Sequence, residues 1–172
     1  MDNKMSDAYY LKAHDNYPYE MSVVVENLGY ALGCDEDHPG ANTLMGQVML
    51  DMSRLEEAEY YLERAIQSDL GYVDAFYRLC DLKITVGKYE DAHRIIDYAI
   101  KIDGANKFLL YRYRARTFES QGEFDLSIAS LEQAIEHTYS DEDLTIVRDE
   151  VKRIKRKRKI VTWKGKQSYA LV

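Results

Sequence analysis

Apolar and polar positions along the chain repeat one pattern four times. It runs through MSVVVENLGYAL (21–32), LEEAEYYLERAI (55–66), YEDAHRIIDYAI (89–100) and FDLSIASLEQAI (124–135), whose starts lie 34, 34 and 35 residues apart. In each segment a large apolar residue (Met21, Leu55, Tyr89, Phe124) is followed three positions on by a smaller one (Val24, Ala58, Ala92, Ser127). Four further comes Leu28, Leu62, Ile96 or Leu131, and three after that alanine: Ala31, Ala65, Ala99, Ala134. Steps of three, four and three follow one face of an α-helix, so each segment is a predicted helix with one buried stripe.

A second helical pattern precedes each of these. Phe76, Leu79 and Cys80 lead to Gly87, and Tyr111, Ala115 and Phe118 lead to Gly122. Both glycines suit a helix C-cap in the left-handed region, where a Cβ would be penalised. Ser53 and Glu56 have the S-x-x-E spacing of a capping box at the start of the helix that carries Ala58. The unit is therefore helix, tight turn, helix. One such pair cannot bury its own apolar face, and stacking several pairs does so.

The pattern resembles the tetratricopeptide repeat, a 34-residue unit written W-x2-L-G-x2-Y, A-x3-F and P. Its first large site corresponds to Phe76 and Tyr111, with Ala8 and Asn42 in the earlier units. Its Leu-Gly pair corresponds to Leu11-Lys12, Met45-Gly46, Leu79-Cys80 and Arg114-Ala115. The closing proline is absent, with Gly104 in its place in the third unit. The resemblance covers residues 5 to about 141 and is weakest in the first unit. It implies an all-α, right-handed superhelical solenoid of about four helix pairs with a C-terminal capping helix. The expected boundaries are a tail over 1–4, a divergent unit over 5–38, units over 39–72, 73–107 and 108–141, a capping helix over 142–155, and a basic tail over 156–172.

The resemblance also implies a function, the binding of a partner protein or peptide on the concave face formed by the first helix of each pair. Carried over, the sites on that face hold Tyr9, Tyr10 and Ala13, then Thr43, Leu44 and Gln47, then Tyr77, Arg78 and Asp81, then Arg112, Tyr113 and Arg116. Tyrosine and arginine carry much of the energy at interfaces, through rigid area and forked hydrogen bonding. The alternative for the arginines is simple pairing with an acidic surface. The two-carboxylate clamp of some family members is not matched as a set, since Asp74 and Asp81 stand where cations or amides belong.

Composition agrees with helix. Apolar residues make up 46%, and nine glycines with two prolines are about half the usual share, too few for a loop-rich β-sandwich. Charge is divided unevenly. The net −7 combines +9 over 152–172, which has no acid, with −16 over the first 151 residues. Ser140 and Asp143 open a final helix whose stripe is Leu144, Val147, Val151 and Ile154. Beyond Ile154 the apolar period ends, and the run Lys152, Arg153, Lys155, Arg156, Lys157, Arg158, Lys159 leads into an end expected to fray. Three readings of that basic end stay open: a solvated helix terminus complementing the dipole, a phosphate-binding nucleic-acid tail, or a tether to anionic membrane, with Trp163 and Tyr169 favouring the last two.

No Gly-rich phosphate loop, HExxH or G-x-S-x-G occurs, and the four histidines are scattered, so no catalysis and no cofactor are expected. Cys34, Asp35, Glu36, Asp37 and His38 form one local cluster that lacks a complete zinc set and reads as a polar connection. With no spanning apolar stretch, no signal-peptide h-region and two isolated cysteines, the expected compartment is the cytoplasm. The functional expectation is a non-catalytic interaction module. The alternatives are a small acidic secretion chaperone of repeat type, which the basic tail does not suit, and a nucleic-acid or anionic-membrane adaptor, which would use it.

Overall fold

The 3-4-3 stripes become helices because their apolar side chains share one face and no proline interrupts them. In a computed structural model, residues 3–169 of the chain are described, with side chains over 4–163. The side chains of Lys164, Lys166 and Tyr169, and residues 1–2 and 170–172 of the expected tails, lie outside the described residues. Among the described residues the chain is all-α: α1 (Asn3–Asn16), α2 (Met21–Cys34), α3 (Pro39–Asp51), α4 (Leu55–Ser68), α5 (Val73–Thr85), α6 (Tyr89–Ala99), α7 (Lys107–Gln121), α8 (Phe124–Ile135) and α9 (Asp141–Tyr169). The four repeated segments are α2, α4, α6 and α8. The last three positions of each stripe (Val24, Leu28, Ala31 in α2 and their counterparts in α4, α6 and α8), twelve in all, are buried to 1% exposure or less. The chain forms two compact units that divide between Val86 and Gly87, in the turn after α5.

In the first unit α1 pairs with α2 and α3 with α4, and the first helices α1, α3 and α5 are also neighbours. The weakly matched first repeat is thus a complete helix pair. α3 touches α1, α2, α4 and α5, and nine of its thirteen residues are buried, which explains its apolar character on nearly all sides. Close approach is built in at Gly46, where a Cβ would lie 2.7 Å from Leu62 Cγ of α4. The loop before α3 is fully engaged. His38 is the N-cap, its Nδ1 accepting from the Ala41 N–H at 3.0 Å, with Pro39 in the first turn. Its Nε2 lies 3.0 Å from Asp7 Oδ1, and Glu36 and Asp37 pair with Arg64 of α4.

Helix ends follow the turn chemistry with one correction. Gly87 and Gly122 take left-handed φ of 76° and 82°. Ser53, expected as the N-cap of α4, instead has φ 59° and closes α3: its N–H donates to Leu50 O at 2.9 Å and that of Arg54 to Met49 O at 2.8 Å. It fills the position Gly122 fills after α7, and Arg54 is the N-cap residue of α4, with no side-chain cap hydrogen bond.

In the second unit α6 packs on α7, α7 on α8 and α8 on α9. Phe108 and Ala115 of α7, Ile128, Leu131 and Ala134 of α8, and Val147 and Ile154 of α9 form one core. Ser127 stands at a small position that is alanine in α4 and α6, and its buried hydroxyl donates to Ala115 O at 2.7 Å. Ser140 caps α9 as expected, accepting from the Asp143 N–H at 3.1 Å. The expected end of that helix at Lys155 is corrected: α9 continues to Tyr169. Lysine and arginine are good helix formers, and acids on α7 and α8 supply counter-charges for the cationic turn.

Candidate partner-binding surfaces

In the first unit the adjacent first helices bring polar side chains together near their C-terminal ends. Asp51 Oδ2 accepts from the Tyr17 hydroxyl at 2.7 Å and Asp51 Oδ1 from Gln47 Nε2 at 2.8 Å, joining the end of α1 to α3. Burial pushes the Tyr17 phenol above its usual pKa, the Asp51 carboxylate adds to this, and Arg78 of α5 and the Gln47 amide draw the other way. Gln47 of the expected surface therefore shares one patch with Tyr17 and Asp51, and the exposed Arg78 of α5 is near enough to act on the Tyr17 phenol. The half-buried Tyr77 and Asp81 also lie on α5. Tyr17 and Asp51 escape a reading of the sequence because both fall in helix-terminal turns, outside the periodic positions.

Other expected residues are placed differently. Tyr9 turns to the second helix of its own pair, its ring 5.2 Å from that of Tyr30. Tyr10 packs beside His38, with ring centres 5.1 Å apart, and its ring occupies the space a Cβ on Gly40 would need. It also faces Tyr72, whose phenol is held well above its usual range by burial and then by Tyr10. Ala13, Thr43 and Leu44 are buried, so they are packing residues instead of contact residues.

In the second unit the first helix of the last pair, α7, is covered by α9. Arg112, expected to face a partner, donates from Nη2 and Nε to Glu150 of α9 at 2.6 and 3.2 Å and lies over the Phe108 ring. Glu119 of α7 accepts both Arg153 Nη1 and Nη2, at 2.6 and 2.7 Å, and Lys157 Nζ at 2.9 Å. Hydrogen bonds from Arg153 are the main cause that holds the Glu119 carboxyl at about 2, against the opposing effect of burial. Arg158 pairs with Asp125 at the start of α8. Between α7 and α9 remains a cleft of about 190 Å³ lined by Arg112, Tyr113, Arg116, Glu119, Glu150 and Arg153, with Leu131 and Ile154 at its base. Part of the expected basic tail is thus a structural face of α9, while Lys152, Lys155, Arg156 and Lys159 are exposed. Among the described residues no group of three or more His, Cys, Asp or Glu side chains is arranged to hold a metal ion, and no helix is long and apolar enough to cross a membrane.

No family model matches the chain, and no curated protein matches its sequence. Solved structures match its fold. A MamA crystal structure is 19% identical over 77% of this chain and 77% of its own, with a TM-score of 0.69. TTC0263, a thermophilic TPR protein of Thermus thermophilus, is 16% identical over 87% of this chain and 80% of its own, at 0.71. PilF of Pseudomonas aeruginosa is 17% identical over 99% of this chain and 78% of its own, also at 0.71. The chain has the all-α fold of tetratricopeptide-repeat proteins.

Proposed function

We propose that the chain is a non-catalytic, cytoplasmic interaction module that holds a partner protein or peptide on the faces of its first helices. The observation that carries this reading is the adjacency of α1, α3 and α5, which sets Tyr17, Gln47 and Asp51 in one exposed-to-half-buried patch with Arg78 near enough to act on Tyr17. Phenol, amide, carboxylate and guanidinium together offer both donors and acceptors to an extended backbone and its side chains. Rigid helices hold these groups in place before binding, which lowers the ordering cost of association.

Affinity capture from extracts of the native cell, compared between variants, tests the proposal. Gln47→Ala with Arg78→Ala should weaken capture of the partner by about 1 kcal/mol or more while leaving far-UV circular dichroism unchanged. Glu56→Ala on the exposed start of α4 should leave capture intact. A partner retained equally by the Gln47/Arg78 double variant and lost with Glu56→Ala would move the binding surface to the second helices.

A further inference from the structure

α9 is longer than its packing requires. Val147, Val151 and Ile154 seat it against α7 and α8, and Lys157 and Arg158 still reach Glu119 and Asp125. From Lys159 to Tyr169 the helix runs eleven residues further, about 16 Å at 1.5 Å per residue. On the face turned away from the buried stripe, Lys152, Arg156, Lys159, Ile160 and Trp163 recur at steps of four, three, one and three. Ile160, Val161 and Trp163 are 55%, 51% and 59% exposed. Ile160 and Trp163, three residues apart on the same face as Arg156 and Lys159, form an exposed apolar pair with a cationic border, whereas isolated exposed apolar residues need no explanation.

The chemistry of that patch selects its occupant. A nucleic acid would satisfy the cations through its phosphates and could stack on Trp163, but it would leave Ile160 in water. An anionic bilayer takes both classes of side chain. Headgroup charges meet Lys152, Lys155, Arg156 and Lys159, and the apolar side chains enter the boundary between headgroups and acyl chains, where tryptophan is favoured. We propose that the distal half of α9 binds the surface of an anionic lipid bilayer and lies in its plane. The helix carries too many cations to span the membrane. At 0.1 M salt the Debye length of about 10 Å screens those acids of the repeats that lie farther than that from the helix, while Asp149, paired with Lys152 at 2.9 Å, offsets that one cation.

Trp163 is the only tryptophan in the chain, so the full-length protein reports its own binding. With vesicles of phosphatidylcholine and phosphatidylserine, its emission should shift to the blue and be quenched by brominated acyl chains. Vesicles of phosphatidylcholine alone should give little of either, and the response should fall as salt rises. Replacing Lys155, Arg156 and Lys159 together by glutamine should weaken partitioning roughly 100-fold, at about fivefold for each cation near the leaflet. Ile160→Ser keeps every cation and the reporter, and should weaken it about tenfold, while Val161→Ser on the opposite side should leave it unchanged. An absent blue shift on anionic vesicles overturns the proposal. So does binding that brominated lipid does not quench or that Ile160→Ser leaves unchanged. Tight binding to a mixed-sequence single-stranded RNA, with no vesicle response, overturns it in favour of a nucleic-acid ligand.

Discussion

Glu119 fastens α9 to α7 alongside the Arg112–Glu150 pair, and its isosteric replacement by glutamine measures its share of that fastening. In the folded chain the carboxylate is held at about 2 in place of its ordinary 4.5. At 1.36 kcal/mol per pH unit, a dry site would stabilise the fold by about 3 kcal/mol. Arg153 and Lys157 are 58% and 49% exposed, and solvent screening reduces this to about 1–2 kcal/mol. Because the folded value is depressed, the contribution is complete above about pH 4.5 and is lost as the pH falls through about 2. Urea unfolding followed by far-UV circular dichroism should therefore place Glu119→Gln about 1–2 kcal/mol below the unaltered chain at pH 7. The gap should hold down to about pH 4.5 and close near pH 2. Trypsin, which cuts at the lysines and arginines of α9, should cleave the variant faster. Equal midpoints at pH 7, or a gap that does not narrow on acidification, would refute the assignment of Glu119 as a tie.

Three further outcomes test other parts of the fold. Ser53→Gly should stabilise the chain by about 0.5–1 kcal/mol, since a left-handed residue with a Cβ is replaced by one without, and a lower melting temperature would contradict the C-cap role. Ala99→Leu should destabilise by about 1–3 kcal/mol through overpacking at a fully buried position, and an unchanged melting temperature would sink the placement of the small-residue stripe. Arg112→Ala should cost about 1–2 kcal/mol in urea melts by leaving Glu150 without its forked partner, whereas an Arg112 that faced only a partner would leave the melt unmoved.

Much of the fold was legible because the stripe residues of α2, α4, α6 and α8 obey one spacing and the last three positions of every stripe are buried. The turns were legible where glycine marked them, at Gly87 and Gly122. Ser53 misled because the same residue type suits an N-cap, and only the hydrogen bonds of Ser53 and Arg54 show which helix it serves. The course of α9 was legible as far as its apolar stripe. Its continuation depends on Glu119 and Asp125, more than 30 residues away in sequence, which no local pattern reports. The surface residues were the least legible. Side chains such as Tyr9 and Arg112 keep the right sequence positions, yet Tyr30 and Glu150 claim them inside the molecule.

α9 stands against α7 and α8 as the opening helix of another pair would, with no second helix following it among the described residues. Such a half-unit caps the α7–α8 pair as a separable element. The stability of a repeat array is close to a sum over neighbouring units, so a spliced copy of residues 107–140 ahead of Asp141 would find a matching surface on α8 and present the same surface to α9. Growth and shrinkage of the chain by whole helix pairs is then nearly neutral for folding, while any insertion that breaks the pair leaves α9 facing the wrong partner. A half-unit packed in this way accepts whole helix pairs of about 34 residues ahead of it without redesign of the core.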